Sequence, residues 1–534
     1  MRKFIQTHLL FLFSVLVFAL LLFRNPFSQR TLIPNLEPFP DSFHYVVSAM
    51  SFIKREGFVI EREGRTITPS VPPLYSLALV PAFVTVRDVR AFYFVNVLLA
   101  FASLGLFYTI VNKLFKESSI RLFLLVLYVT CFPLSWFPEL AMAENLILPL
   151  FLSGVLLLLV PITRKTIVIM SVLSVSFYAT KYASLPLTFA FPILYLIKIV
   201  TQEKNKNKRI HSLIFYALFL IPTALLYVVY EFYAKKNNLI GGLIGLFFSV
   251  FIPTTRVEGT STGANPFFST ANIATNVRAY VSWLLGDPLV ILWRNVRILP
   301  KVLAIPAFIG LFTSKVGVQL LFLLTSVIAF MMVFYAYDGR YFIVAVPALF
   351  IGLGFFFQAV YKTVGKKTSH VLVSVVILLV LLGYLASIAK DVRFAVALNL
   401  KYAETPWYYK SIRIFDMYLH DHVTEFSSEP VIISALPPYL IDAYAHEEFI
   451  VLPLNASQEF RSNPVAAWGS YDFQNLQGEY ARLLREGHPV FLTQYGLGNE
   501  KYLHNTFDAV RAKFKNTQVA TGCFNLCNVY RLEL

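Results

Sequence analysis

Residues 144–200 read ENLILPLFLSGVLLLLVPITRKTIVIMSVLSVSFYATKYASLPLTFAFPILYLIKIV, three apolar runs parted only by short polar connections. The runs cover 144–161, 166–180 and 184–200, each close to the length an α-helix needs to cross bilayer hydrocarbon. Arg164 and Lys165 fill the first connection, and Lys181 sits in the second. Lipid offers no hydrogen bonds to backbone amides, so runs this apolar are expected to satisfy them internally, as helices.

The pattern recurs from Leu9 to Ile388, with further spans expected at 8–23, 91–112, 121–137, 211–233, 297–313, 316–334, 342–361 and 371–389, about eleven in all. Of the 534 residues, 57% are hydrophobic and 14% charged, which excludes an ordinary soluble fold. The net charge of +16 invites a nucleic-acid reading, but the bases are spread along the chain between spans. Arg2 and Lys3 precede the first span; Lys113, Lys116 and Arg121 follow the second. Arg164 and Lys165, then Lys204 to Arg209, Lys315, and Lys362 to Lys367 recur at every other connection. The positive-inside rule makes these connections cytoplasmic, with the N-terminus inside and everything after Lys390 outside. The first apolar run lacks a small-x-small site before Arg24 and reads as a retained span rather than a signal peptide.

The first outer loop, Asn25 to Val71, contains an amphipathic stretch from Asp41 to about Lys54, with Phe43, Val46, Val47, Met50 and Ile53 at helical spacing. It is expected to lie on the membrane surface. The next apolar segment, Pro72 to Phe83, is too short to span comfortably and is placed at the interface or as a partial entry. Between Ala234 and Val296 a long outer loop is expected, with a surface helix over Ala279 to Trp293. From about Asn399 the composition becomes that of a soluble fold. Strand patterns at 431–433, 449–452, 490–493 and 529–532 alternate with helical ones at 439–445, 480–485 and 502–514, which suggests a small α/β domain ending in a hairpin. Two domains are therefore expected, a helical membrane domain over 1–390 with juxtamembrane helices in its first outer loop, and an extracytoplasmic α/β domain over 391–534. Cys523 and Cys527 form a local disulfide or remain two reduced residues, and Cys131 reads as span filler. The soluble part carries no phosphate loop, metal-ligand spacing or nucleophile elbow.

Composition and spacing say membrane protein and do not say enzyme. Five short pieces say more: Pro40-Asp41-Ser42-Phe43-His44-Tyr45 after the first span, Thr68-Pro69-Ser70-Val71-Pro72-Pro73-Leu74-Tyr75, Ala143-Glu144-Asn145-Leu146, Ala179-Thr180-Lys181-Tyr182, and Gly339-Arg340-Tyr341-Phe342 opening a late span. Their order along 1–390 resembles the GT-C glycosyltransferases, especially the bacterial members related to protein O-mannosyltransferases and to the aminoarabinose transferase of lipid A. That resemblance implies an enzyme moving a hexosyl or pentosyl group from a polyprenyl-phosphate donor to a glycan, lipid or protein acceptor, with inversion. It also implies a bacterial plasma (inner) membrane, with reaction on the outer face.

In that superfamily an acidic residue of the first outer loop acts at the transfer centre, and Asp41 stands at the matching place. An acceptor hydroxyl needs a carboxylate to take its proton, whereas polyprenyl phosphate leaves as a stabilised anion without a general acid. By position alone Asp41 reads first as a helix N-cap, and the resemblance is what turns the reading to the transfer centre. Several relatives have two adjacent acidic residues where this chain has Asp41-Ser42, which leaves a divalent metal as an open expectation. Lys181 and Arg340 are the cations assigned to the donor phosphate, with Tyr341 and, more weakly, Arg65 as further contacts. Their plainer reading is interfacial anchoring by snorkelling cations and a belt tyrosine. Glu144, costly if it faced lipid, is placed in the cavity as a second carboxylate, an acceptor-orienting group or a partner for a neighbouring cation. His44 is either a neighbour of the same site or a packing residue, and Glu139 reads as a solvated loop residue. Two rival functions remain: an envelope-glycan polymerase or ligase with its chemistry in Arg256 to Arg297, and a transporter or flippase of lipid-linked sugars, which would gather charge at the membrane midplane.

Overall fold

The computed structural model describes residues 2–22, 41–55, 57–58, 60–62, 65–67, 71–86, 88–234, 270–291, 294–333, 337–363, 375, 377–386, 389, 407–435, 449–454, 475–495, 497, 501–521 and 528–534. Among them, the first part is helical: α1 (Arg2–Leu22), α2 (Asp41–Ile53), α3 (Pro73–Val86), α4 (Phe92–Leu114), α5 (Ser118–Thr130), α6 (Phe132–Trp136), α7 (Glu144–Leu159), α8 (Arg164–Thr180), α9 (Leu185–Gln202), α10 (Lys206–Ala234), α11 (Ile273–Leu284), α12 (Lys301–Leu311), α13 (Lys315–Met331) and α14 (Ala345–Thr363). Two short antiparallel hairpins interrupt them, β1 (Ile60–Arg62) with β2 (Arg65–Ile67), and β3 (Leu289–Ile291) with β4 (Arg294–Val296).

Four described helical segments are individually long and apolar enough to cross a membrane: Phe92–Leu114, Tyr182–Gln202, Lys206–Leu226 and Ala345–Thr363. Two bent pairs meet the same test only when joined: α5 with the segment ending at Glu139, bent by 50°, and α12 with α13, bent by 110°. The chain is thus a multi-pass membrane protein, but three expected spans take other forms. The 121–137 run breaks after Thr130 because Pro133 lacks an amide hydrogen and its ring clashes with the preceding turn. The runs 297–313 and 316–334 are one sharply bent pair, since the Ser314 hydroxyl accepts from Gly317 N at 2.9 Å and starts α13 afresh. The surface helix expected over Ala279–Trp293 ends earlier, as α11. Gly286 adopts φ +97°, and the β-branched pair Val290-Ile291 then continues as β3.

Helix ends alternate between two faces of the bundle. At one face lie the basic connections, tied together where Ser119 Oγ meets Tyr361 Oη at 3.0 Å, Arg121 donates to Asn112 Oδ1 at 3.0 Å, and Thr163 caps α8. From there α7, α8, α9 and α14 run to the opposite face, where Glu144, Thr180, Leu185 and Ala345 are their terminal residues. Lipid gives no hydrophobic drive for helix pairing, so close backbone approach has to supply it. Gly310 on α12 and Gly352 on α14 make that approach: a Cβ at Gly310 would lie 1.9 Å from Gly352 O, and one at Gly352 would lie 2.3 Å from Ala307 O.

The C-terminal part contains α15 (Trp407–His422), β5 (Val431–Ser434), β6 (Ile450–Pro453), α16 (Leu476–Arg485), β7 (Val490–Thr493), α17 (Lys501–Lys513), β8 (Lys515–Ala520) and β9 (Val529–Glu533). The strands form a mixed sheet in the order β6-β5-β7-β9-β8; β5 is parallel to β6 and β7, and β9 is antiparallel to β7 and β8. Alternation along the strands sends Val431, Ile433, Val490 and Leu492 towards Tyr480 of α16 and Phe507 of α17. The opposite face, with Ile432, Val451, Phe491 and Val529, meets Phe415 and Leu419 of α15. The same continuous cluster takes in Tyr45 and Val46 of α2 and Tyr75 and Leu79 of α3. The amphipathic helix α2 is therefore built into this core through its apolar residues. The expected helix at 439–445 and both Cys523 and Cys527 lie outside the described residues, as does the Arg256 end of the long loop.

Candidate functional site

Three breaks in helical structure meet at the face opposite the basic connections: the segment before α7, the turn between α8 and α9, and the 3-10 turn Gly339–Phe342 before α14. Each presents one or more of the residues singled out in the sequence.

Lys181 ends α8 with extended backbone, φ −158° and ψ 132°, which turns its side chain out of the helical path. Its Nζ donates to Glu144 Oε1 at 2.6 Å, and the two residues are 7% and 2% exposed. Glu144 is the first residue of α7, where its negative charge meets the positive end of the helix dipole. The ammonium lies 4.9 Å from the centre of the Tyr341 ring, and the Arg340 guanidinium lies 4.6 Å from the same ring. Arg340 Nη2 donates to Tyr341 Oη at 2.6 Å, and Arg340 Nε is 3.2 Å from Asp338 Oδ2. Asp338 also caps the turn by accepting from Arg340 N at 2.9 Å, and its carbonyl accepts from Tyr280 of α11 at 3.3 Å. The result is two cations on one aromatic ring, each held by its own carboxylate. An arriving phosphate would meet cations already oriented, which lowers the reorganisation needed to bind an anion.

Four of the residues singled out in the sequence, Glu144, Lys181, Arg340 and Tyr341, are thus neighbours although they come from three distant segments. Asp41 is the first residue of α2 and Arg65 the first of β2; the side chains of both lie outside the described residues. His44 is buried on α2 beside Tyr45, whose hydroxyl donates to Thr180 O at 3.4 Å and so ties α2 to the residue before Lys181. Glu139, expected in solvent, is instead buried, because the 3-10 turn Phe137–Glu139 folds in between α4 and α7. Among the described residues no group of three or more His, Cys, Asp or Glu side chains is placed to hold a metal ion.

Several polar residues were not singled out from the sequence. Asn96 of α4 donates to Pro138 O and Leu140 O at 3.2 and 2.9 Å, and accepts from the Tyr75 hydroxyl at 2.8 Å. Asn145 donates to Phe137 O, Leu140 O and Met142 O at 3.0, 3.1 and 3.1 Å. Lys198 is buried at the far face, where its Nζ donates to Leu157 O at 2.8 Å and to Val160 O, closing the C-terminal carbonyls of α7. The signal for all three was a carboxamide or ammonium inside an apolar run, which is costly without a partner.

No family model matches the chain, and no curated protein matches it. Among solved structures, the fold is similar to ArnT from Cupriavidus metallidurans. It aligns with the form bound to undecaprenyl phosphate at a TM-score of 0.61 and 12% identity, covering 98% of this chain and 97% of that one. It aligns with the apo form at a TM-score of 0.62 and 11% identity, covering 100% and 99%. The likeness runs the full length of both chains, so the helical bundle and the C-terminal sheet are shared as one architecture.

Proposed function

We propose that this protein is a membrane glycosyltransferase of the GT-C type, passing a hexosyl or pentosyl group from a polyprenyl-phosphate donor to an acceptor on the outer face of a bacterial inner membrane. The observation that carries the reading is the convergence of Lys181, Arg340, Tyr341 and Glu144 at the face opposite the basic connections, in a fold shared with a protein that binds undecaprenyl phosphate. Under the positive-inside rule that face is extracytoplasmic, with the N-terminus inside and the C-terminal sheet outside.

In this reading Lys181 and Arg340 take the donor phosphate, Tyr341 and Arg65 add hydrogen bonds, and Asp41 serves the acceptor. The acceptor oxygen attacks the anomeric carbon as the bond from that carbon to the phosphate oxygen breaks. The Asp41 carboxylate takes the hydroxyl proton, and polyprenyl phosphate leaves as an anion stabilised by the two cations. One displacement inverts the anomeric centre. Glu144 holds Lys181 in place, and the buried His44 fixes α2. Transport of lipid-linked sugars is the weaker reading, since it calls for charge at the middle of the bundle, whereas these four residues stand at helix ends.

The test is transfer of radiolabelled sugar from polyprenyl-phosphate donors by the purified protein in lipid, wild type against Asp41→Asn. Transfer lost with donor binding retained supports Asp41 as the base. Undiminished transfer by the variant moves the chemistry elsewhere, and a wild type inert towards every donor and acceptor revives transport.

A further inference from the structure

The motif ending at Tyr75 was singled out in the sequence, yet the proposed chemistry leaves that tyrosine without a task. Tyr75 and Asn96 are both 0% exposed, and the Tyr75 hydroxyl spends its proton on Asn96 Oδ1 at 2.8 Å. Accepting there orients the carboxamide, so that both Nδ2 hydrogens point at Pro138 O and Leu140 O. Pro138 lies in the 3-10 turn Phe137–Glu139 and Leu140 just after it, so both carbonyls stand outside the α-helical ladder that starts at Glu144. Leu140 O also accepts from Asn145 and from Met142 N, so two carboxamides hold one short segment. Glu144 begins the helix that follows. On its other flank the Tyr75 ring meets the Tyr45 ring edge-on, with centroids 5.0 Å apart, and Tyr45 reaches Thr180 O beside Lys181.

We propose that Tyr75 and Asn96 are positioning residues that set the Glu144–Lys181 pair against α2 and the Asp41 at its start. The inference rests on the transferase reading above and names two further residues for it. The Tyr75 hydroxyl acts through Asn96, and Asn96 acts through the Pro138 and Leu140 carbonyls; neither residue touches the reacting atoms. A small shift of this segment leaves Arg340, the second cation assigned to the donor phosphate, in place, so donor KM changes far less than kcat. It moves the cation and the base out of line for displacement, and an ångström of such misplacement costs on the order of a hundredfold in rate.

The experiment compares wild type, Tyr75→Phe, Asn96→Ala and the double variant in lipid. It reads kcat and donor KM for transfer, thermal unfolding, and hydrogen exchange of peptides spanning 137–146. The expected result is a fall in kcat of about tenfold or more for each single variant with donor KM within about twofold, and a double variant no worse than Asn96→Ala. Exchange should rise at 137–146 and stay unchanged in α14. Unchanged kcat in both single variants, with a wild type that transfers, overturns the proposal. Exchange raised throughout the bundle overturns it as well, because the pair is then ordinary core. Tyr75→Phe carries the test alone where Asn96→Ala does not fold. A wild type that transfers nothing defeats the transferase reading, and the exchange data still decide whether these two residues hold the segment.

Discussion

Glu144 Oε1 and Lys181 Nζ stand 2.6 Å apart and tie the start of α7 to the end of α8, with both side chains nearly closed to solvent. Two charges taken out of water together are tolerable, while one alone is not. Glu144→Gln or Lys181→Met should each destabilise the protein by roughly 3–5 kcal/mol, because each strands a buried charge. The double variant should regain most of that loss in thermal unfolding while remaining inactive in transfer. A double variant as unstable as the singles would show that the pair owes its place to packing rather than to mutual neutralisation.

Arg340 offers a planar guanidinium to Tyr341 and Asp338, and in the proposed function to the donor phosphate as well. Lysine keeps the charge but not the fork, so Arg340→Lys should raise donor KM by about tenfold and leave stability within about 1 kcal/mol of wild type. Titration of donor into the two proteins in lipid checks this. Equal affinities would remove Arg340 from the phosphate site.

The sequence was most informative where charge and apolarity change together. The run expected at 166–180 is the helix Arg164–Thr180, and the run at 144–161 is Glu144–Leu159, since basic and acidic residues mark their ends. The strand patterns at 431–433 and 490–493 reappear as β5 and β7 because buried β-branched and aromatic runs leave little alternative. The bends were hidden. Hydropathy is blind to Pro133 breaking a run at 131, and to Ser314 restarting one at 315. The Glu144–Lys181 pair was present only as one of three options for Glu144, since 37 residues of chain separate partners that tertiary packing alone brings together. Glu139 misled for the same reason: a proline-flanked acid reads as loop until α4 and α7 close over it.

The close crossing of α12 and α14 leaves no space for a methyl group at either glycine. Gly310→Ala would drive its Cβ into Gly352 O and the Phe356 amide, which are backbone atoms that cannot turn aside. Separation of the helices should cost about 1–3 kcal/mol or more, since packing rather than hydrophobic drive holds helices together in lipid. Gly105→Ala, where an added methyl meets nothing within 4 Å, should be neutral or slightly stabilising. Thermal unfolding of the two variants side by side separates crowding from helix propensity.

Phe491 of β7 sits at the centre of an aromatic group, with Phe415, Tyr418 and Phe426 rings at 5.1, 5.8 and 5.9 Å. These rings join the cluster that also buries Tyr45 and Tyr75 beneath the proposed site, so the sheet supports α2 as well as hanging from the bundle. Truncating Phe491 to alanine should therefore cost about 3–5 kcal/mol and lower transfer, by loosening the helix that begins at Asp41. Removal of everything after Lys390 should go further and abolish transfer even where the bundle remains folded in lipid. If the sheet only recognises the acceptor, Phe491→Ala should raise acceptor KM and leave hydrogen exchange in α2 unchanged. Faster exchange across 41–53 with acceptor KM preserved would instead identify the sheet as the support that keeps the first-loop carboxylate in reach of the donor.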